Sequence, residues 1–227
     1  MPKEIYIAGG TAAISAAIER EIRAMGFSVK RIGGQNRFDT AVQIATEVGV
    51  ANQIFLTTAN EQSPDALSIA PYAGLKQIPI LLTRRDQLSK TVVDFIVRNN
   101  INHVTLIGGT QAISDQIREQ LSALNVRTIE RISGDTRFGT SVKIAERYAS
   151  DFDFSNISIA SGRSFIDALP GSPYASMQKA PILLTDRTRL PMEVRSWMEQ
   201  QRLSRTTFTF LGGYGVITDE VRKEFLY

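Results

Sequence analysis

The chain has 227 residues, of which 43% are hydrophobic and 22% are charged, a balance typical of a folded globular protein. The absence of cysteine excludes disulfides and thiolate metal sites, and a single histidine argues against triad and zinc-hydrolase chemistry. The net charge of +3 weakly favours acidic partners such as phosphate or carboxylate polymers. We find no run of 18 apolar residues and no basic-then-apolar leader, so we expect neither a membrane span nor an export signal in this stretch.

Short apolar runs rich in β-formers alternate with segments of helical periodicity along the whole chain. The pattern predicts nine βα units that form largely parallel sheets. The intervening segments carry apolar residues three or four positions apart, as in 41–48, and Ser114 and Thr218 fit helix N-caps. The predicted strands are 5–8, 28–32, 54–57, 80–83, 104–107, 127–132, 157–160, 182–185 and 207–211.

Several blocks of sequence recur about one hundred residues apart. RIGGQNRFDTAV at 31–42 returns as RISGDTRFGTSV at 131–142. SPDALSIAPYA at 63–73 returns as FIDALPGSPYA at 165–175, and PILLT at 79–83 returns at 181–185. Motifs of this density at a fixed spacing indicate tandem duplication.

A further block occurs three times: YIAGGTAAIS at 6–15, TLIGGTQAIS at 105–114 and TFLGGYGVIT at 209–218. The chain is therefore predicted to hold two whole repeats of four βα units, at 27–125 and 126–227. Residues 1–26 are predicted to be the last βα unit of a preceding, incomplete repeat. The expected fold class is α/β, with each repeat a mainly parallel sheet flanked by helices, Rossmann/flavodoxin-like or Toprim-like.

Glycines follow predicted strands at matched places in the repeats: Gly33, Gly34, Gly108, Gly109, Gly212 and Gly213. A chain that turns from a strand into a helix often needs positive φ or a close backbone approach there. Such turns can also present free N–H groups to a phosphate or carboxylate at a helix N-terminus. The simpler alternative is tight packing of helix on strand. The turns lack the glycine patterns of nucleotide-binding loops, so nucleotide binding gains little support.

Two arginines, Arg37 and Arg137, fall in the first turn of a predicted helix. The helix dipole disfavours a cation there by about 0.3–1 kcal/mol, so each needs a compensating partner. The repeat-matched Asp65 and Asp167 are candidates, because they lie on the same carboxyl edge of the predicted sheet. A guanidinium suits a structural pair with such a carboxylate, and it equally suits a phosphate or carboxylate of a polymer, so both interpretations stay open.

Other cations follow the strands that end at 83 and 185: Arg84, Arg85, Arg187 and Arg189. Ligands of open parallel sheets bind outside the carboxyl ends of the strands, so these side chains are candidate direct contacts to a polymer. The alternative is that they are solvated loop charges. The neighbouring acids Asp86 and Asp186 would neutralise part of their field.

The four linked motifs at 31–42, 63–73, 79–83 and 105–114, which occur in this order in both repeats, resemble the type 2 cell-wall-binding repeat of Gram-positive surface proteins. The resemblance implies a non-catalytic module whose repeats pack pseudo-symmetrically, commonly three together. It implies non-covalent anchoring of a secreted surface or S-layer protein to an anionic wall polysaccharide, teichoic-acid-like or another acidic glycopolymer. It also implies a location at the cell wall or extracellular surface and neighbouring repeats as partners. A homo-oligomer is allowed, and no cofactor, metal or nucleic acid is expected.

One position in the first repeat departs from the second. The alignment places Asn60-Glu61 against Gly162-Arg163, and an acid beside this loop weakens the expectation of an anion there. Two alternative functions stay open. The chain could be an architectural repeat that mediates only repeat–repeat or surface-layer assembly, or a doubly wound domain that binds a nucleotide or another small ligand.

Overall fold

The computed structural model describes residues 4–49, 52–60, 64–164, 166–201, 203 and 205–225. Within these ranges the chain forms nine parallel strands that alternate with helices and are grouped in three sheets. Each predicted strand is present with ends within one residue of the prediction. The predicted α/β class is confirmed. No helix in the described part of the chain is long and apolar enough to cross a membrane.

The first sheet has two strands, whose register places Glu4 beside Ser28 and Ala8 beside Ile32. The helix between its two strands, α1, has no buried residue, because the sheet is too narrow to cover a helix face. Ser15 caps this helix, accepting a hydrogen bond from the N–H of Ile18. The elements are β1 (Glu4–Ala8), α1 (Ala16–Ala24) and β2 (Ser28–Ile32).

The middle sheet has four strands in the order β4-β3-β5-β6. Its central strand β3 pairs with β4 on one side and β5 on the other, so the strand order reverses between β3 and β5. The side chains of Ile54, Leu56 and Leu106 are fully buried between this sheet and its helices. The elements are α2 (Arg37–Val48), β3 (Gln53–Thr58), α3 (Asp65–Lys76), β4 (Ile80–Thr83), α4 (Lys90–Arg98), β5 (His103–Ile107), α5 (Asp115–Ala123) and β6 (Thr128–Ile132).

The third sheet repeats the first three strands of the middle sheet, in the order β8-β7-β9. Its core is built around the buried Trp197, whose ring meets Phe154 edge to face at 5.2 Å. The elements are α6 (Arg137–Arg147), β7 (Asn156–Ser161), a 3-10 turn (Ile166–Ala168), α7 (Gly171–Met177), β8 (Ile182–Thr185), α8 (Met192–Gln201), β9 (Thr207–Leu211) and α9 (Asp219–Glu224).

Helix α3 joins the middle and third sheets, because it packs on its own sheet and also on α6, α7 and β8. The rings of Tyr72 and Tyr148 stack across this contact with centroids 3.6 Å apart. Lys76 Nζ lies 2.5 Å from a carboxylate oxygen of Asp151 at its margin. Burial of aromatic surface therefore holds the two sheets together.

The sheets cut across the sequence repeats. Strand β2, which opens the predicted repeat at 27–125, pairs with β1, and β6, which opens the predicted repeat at 126–227, pairs with β5. The first strand of each sequence repeat thus completes the sheet that precedes it. The following helix then crosses over, so that α2 packs on β4 and α6 packs on β8.

Candidate functional site

Two adjoining clefts lie at the carboxyl edge of the middle sheet. The larger, here the switch-point cleft, has a volume of about 570 Å³ and lies where the strand order reverses, the usual ligand position in open α/β sheets. It is lined by Asn60, Pro64, Asp65, Gly109, Thr110, Gln111, Ala112, Arg131, Ser133, Gly134, Asp135, Thr136, Arg137 and Thr140.

The smaller cleft, here the arginine cleft, has a volume of about 400 Å³. The two clefts share Asn60, Gln111 and Ala112 as walls, so they form one continuous depression. The arginine cleft is lined by Arg37, Phe38, Thr58, Ala59, Asn60, Thr83, Arg84, Arg85, Gln111 and Ala112.

The turn after β5 shapes the floor of the switch-point cleft. Gly108 has φ of +119°, and a Cβ added there would lie 2.7 Å from Oδ2 of Asp65. Asp65, in the first turn of α3, is only 6% exposed. Glycine is therefore required at 108 both by backbone conformation and by the neighbouring carboxylate. Gly212 repeats the positive φ, at +129°, whereas an added Cβ on Gly109 or Gly213 would meet nothing within 4 Å.

The glycines after β2 and β6 are required by close packing. A Cβ on Gly34 would lie 2.2 Å from that of Asp39, and one on Gly134 would lie 2.4 Å from the carbonyl carbon of Gly139. The Gly33 position is equally tight, with the carbonyl carbon of Gly9 2.4 Å from an added Cβ. Helix and loop backbones therefore touch at these places, as expected if the glycines serve tight packing of helix on strand.

Two N–H groups of these loops already have acceptors within the chain. The N–H of Gly34 donates to Thr40 Oγ1 at 3.0 Å, and that of Gly134 donates to Thr140 Oγ1 at 3.1 Å. Asn36 and Thr136 cap the helices that follow. An anion at these helix starts would have to displace the caps, so the geometry favours a structural role for the glycine loops.

An arginine outside the predicted site residues holds the cleft loop in place. Nη1 of Arg131 donates to the carbonyls of Gly108 and Ile113 at 2.8 and 2.9 Å. Arg31 makes the same pair of bonds in the first sheet, to Gly9 and Ile14. The signal was available, because both arginines open the repeated motif.

In the third sheet the corresponding turn is held by an arginine from a different element, helix α9. Arg222, on α9, donates from Nη2 to the carbonyl of Gly212 at 2.7 Å and from Nε to that of Ile217 at 3.1 Å. Its guanidinium also lies over the rings of Phe210 and Tyr214, at 4.9 and 4.4 Å. In the sequence Arg222 is matched by Arg118, whose Nη1 instead donates to the carbonyl of Ile129 at 2.8 Å.

Arg37 and Arg137 lie in the first helical turns, as predicted, and each ties its helix to the loop after the next strand. Nη1 of Arg37 donates to the carbonyl of Ala59 at 2.8 Å, and Nη1 of Arg137 to that of Gly162 at 2.6 Å. Asp65, the candidate partner of Arg37, has Oδ2 close to Gly108, and an ion pair between Arg37 and Asp65 stays a prediction. The Asp167 side chain lies outside the described part of the chain.

The predicted alignment of the loops after β3 and β7 is also wrong, by one residue. The N–H of Asn60 donates to Thr58 Oγ1, and the N–H of Arg163 donates to Ser161 Oγ, both at 3.2 Å. Asn60 is therefore matched by Arg163, not by Gly162. Glu61, the acid expected beside this loop, lies outside the described residues.

The arginines after β4 differ in their partners. Arg85 Nη1 contacts both carboxylate oxygens of Asp86, at 2.9 and 3.1 Å, so Asp86 neutralises it as expected. Arg84 has no acidic partner within the described ranges, and its guanidinium lies 5.3 Å from the centre of the Phe38 ring. Arg84 is exposed and lines the arginine cleft, where it offers an uncompensated positive charge.

After β8 the charges are arranged differently. Asp186 is buried and receives two hydrogen bonds from Arg163, from Nε at 2.9 Å and Nη2 at 2.8 Å. The Arg163 guanidinium lowers the pKa of the Asp186 carboxyl below its usual value. Arg187 and Arg189 are exposed. The described residues contain no group of three or more His, Asp or Glu arranged to hold a metal ion.

Parallel sheets that recur along the chain, each with glycine turns pinned by an arginine and with cations at the carboxyl edge, define an α/β repeat protein with its clefts between strand ends. The family model for cell wall binding domain 2 (CWB2) matches residues 31–118 and 131–222, and the chain belongs to this family. The resemblance noted in the sequence is thereby confirmed.

Two relatives from Bacillus subtilis (strain 168) match most of this chain. It is 32% identical to N-acetylmuramoyl-L-alanine amidase LytC over 194 residues, which cover 86% of this chain and 38% of that protein. It is 30% identical to Amidase enhancer over 220 residues, which cover 97% of this chain and 29% of that protein. The chain thus spans only about a third of the length of these relatives.

Two solved structures from Clostridium difficile have the same fold. Cwp8 superposes with a TM-score of 0.79 at 25% identity, covering 97% of this chain and 37% of that structure. Cwp6 gives the same score and identity, covering 99% of this chain and 36% of that structure.

Proposed function

We propose that the chain is a non-catalytic module that anchors a surface protein to an anionic glycopolymer of the cell wall. Membership of the CWB2 family supports the wall as the target. The observation that supports a negatively charged polymer is Arg84. Its guanidinium has no acidic partner in the described residues and is exposed in the wall of a continuous cleft. The location we propose is the cell wall or the extracellular surface.

The arginine cleft suits a phosphate or carboxylate group. The planar N–H groups of Arg84 can donate two parallel hydrogen bonds to such an anion. Arg85 adds less, because Asp86 already engages it. The adjoining switch-point cleft can extend the contact along the polymer, since its walls are rich in polar side chains and it falls within the range of about 300–1,000 Å³ usual for ligand sites.

Sedimentation with washed Gram-positive cell walls tests this function. Binding of the chain should weaken as NaCl rises, because the contact is between exposed charges. It should also fall on walls stripped of phosphodiester polymers with hydrofluoric acid. The variant Arg84→Gln with Arg85→Gln should bind at least about tenfold more weakly, since the loss of a single hydrogen bond to a charged group costs about 1.5 kcal/mol or more.

Arg127→Gln is the matched control for the charge change. Arg127 is exposed and precedes β6, at the opposite edge of the same sheet from the clefts. This variant should bind walls as the unaltered chain does. Equal weakening by both changes would show an unspecific charge effect and would contradict the proposed site.

The architectural alternative makes a different prediction. If the repeats only associate with one another or with surface-layer neighbours, the double variant at Arg84 and Arg85 should retain full wall attachment. Arg37→Ala should then lower stability, because Nη1 of Arg37 donates to the carbonyl of Ala59 at 2.8 Å.

A further inference from the structure

The carboxyl edges of the middle and third sheets carry opposite charges at one matched position. Thr83 ends β4 and donates from Oγ1 to the carbonyl of Arg84 at 2.9 Å, and Thr185 ends β8 and donates to that of Asp186 at 3.2 Å. The turn that follows is therefore the same in both sheets. Arg84 and Asp186 are its matched first residues, one a cation and the other an acid.

In the middle sheet the cation rests on an aromatic ring. The Arg84 guanidinium lies 5.3 Å from the centre of the Phe38 ring, and both side chains line the arginine cleft. A cation–π contact at this distance restricts where the charge can lie.

In the third sheet the matched position is closed by an internal ion pair. The Asp186 side chain is 11% exposed and is bound by two N–H groups of Arg163. It also accepts a hydrogen bond from the backbone N–H of Arg187 at 2.6 Å. An anion arriving here would meet a carboxylate and would have to compete with it for Arg163.

Phe138, the residue of the third sheet that corresponds to Phe38, also makes different contacts. A Cβ on Gly162 would lie 2.7 Å from Cε1 of Phe138, so this ring is pressed against the loop after β7. Phe138 packs with the core of the third sheet, and no Arg or Lys of the described residues lies over its ring as Arg84 lies over that of Phe38. Arg187 and Arg189 are exposed, but neither lines the two clefts at the middle sheet.

We propose that the two repeats are not equivalent binding sites: the middle sheet binds the anionic group of the polymer through Arg84, with Phe38 as a positioning residue, and the Arg163–Asp186 pair closes the corresponding place in the third sheet. This inference rests on the proposed function of wall binding and adds which repeat makes the ionic contact.

Wall sedimentation of single variants tests the division. Arg84→Gln should weaken binding about tenfold and lower the steepness of the salt dependence by about one charge. Arg187→Gln removes the same charge from the third sheet and should weaken binding less than about twofold. The melting temperature of each variant shows that it is folded.

The role of Phe38 has its own readout. Phe38→Leu keeps every charge, so the salt dependence should stay as in the unaltered chain while affinity falls about three- to fivefold, the loss expected for an exposed cation–π contact. Phe38→Tyr should restore the affinity, because it keeps the ring. Phe138→Leu is the matched control and should change affinity less than about twofold at temperatures where it remains folded.

Removal of the Asp186 charge tests whether the Arg163–Asp186 pair prevents anion binding in the third sheet. Asp186→Asn keeps an acceptor for the N–H of Arg187 but frees the charge of Arg163, so wall affinity should rise about threefold. Unchanged or weaker binding of this variant would contradict the closure, and equal losses for Arg84→Gln and Arg187→Gln would overturn the division between repeats. Failure of the unaltered chain to sediment with walls at low salt would instead refute the proposed function itself.

Discussion

The arginine that pins the cleft loop should be a main source of local stability. Arg131 is 13% exposed and donates to the carbonyls of Gly108 and Ile113 at 2.8 and 2.9 Å. Its third bond, to Asp115 at 3.0 Å, involves a carboxylate that is 69% exposed and adds at most about 0.5 kcal/mol. With about 1.5 kcal/mol for each carbonyl bond from a charged donor, Arg131→Gln should lower the free energy of unfolding by about 3 kcal/mol.

Urea unfolding followed by circular dichroism measures this loss. Arg127→Gln, four residues earlier and exposed, is the control and should change the free energy of unfolding by less than about 0.5 kcal/mol. Asp115→Asn should behave like the control, because its ion pair is largely solvated. A loss below about 1 kcal/mol for Arg131→Gln would refute the reasoning, since it would mean that water satisfies the two carbonyls equally well.

Two further predictions concern packing and pH. Gly134→Ala should lower the free energy of unfolding by more than about 2 kcal/mol, because the new Cβ would lie 2.4 Å from the carbonyl carbon of Gly139, whereas Gly109→Ala, with nothing within 4 Å, should leave the melting temperature nearly unchanged. Equal melting temperatures in calorimetry would contradict this. Burial raises the pKa of Tyr148 to about 12, so the unfolded chain loses this proton first, near pH 10. Stability should therefore fall between pH 10 and 12 by up to about 2 kcal/mol, and Tyr148→Phe should remove that part of the fall in urea titrations; an identical fall in the variant would be the contrary result.

The positions of the strands could be predicted from local sequence signals alone. Each one is a short apolar run bounded by turn residues, so its position could be predicted within one residue. Which strands share a sheet could not, because pairing joins residues far apart in sequence. Strands β2 and β6 open the sequence repeats but complete the sheets that precede them.

The candidate site was predictable in its types of residue but not in its pairings. Arg84 could be placed at the carboxyl edge because it follows a strand. Its contact with Phe38 and the pair of Arg163 with Asp186 depend on loops brought together by the fold, 46 and 23 residues apart in sequence. The loop after β3 also matches the loop after β7 one residue away from the motif alignment, which hid the correspondence of Asn60 and Arg163.

Direct titration of the chain with purified anionic wall polymer tests the central claim most simply. Calorimetry at about 50 mM and about 500 mM NaCl should show binding that weakens strongly at the higher salt, because it depends on contacts between exposed charges. The same titration with Arg84→Gln should show about tenfold lower affinity at low salt. Absence of binding at low salt, or an affinity that neither salt nor Arg84→Gln changes, would contradict the account.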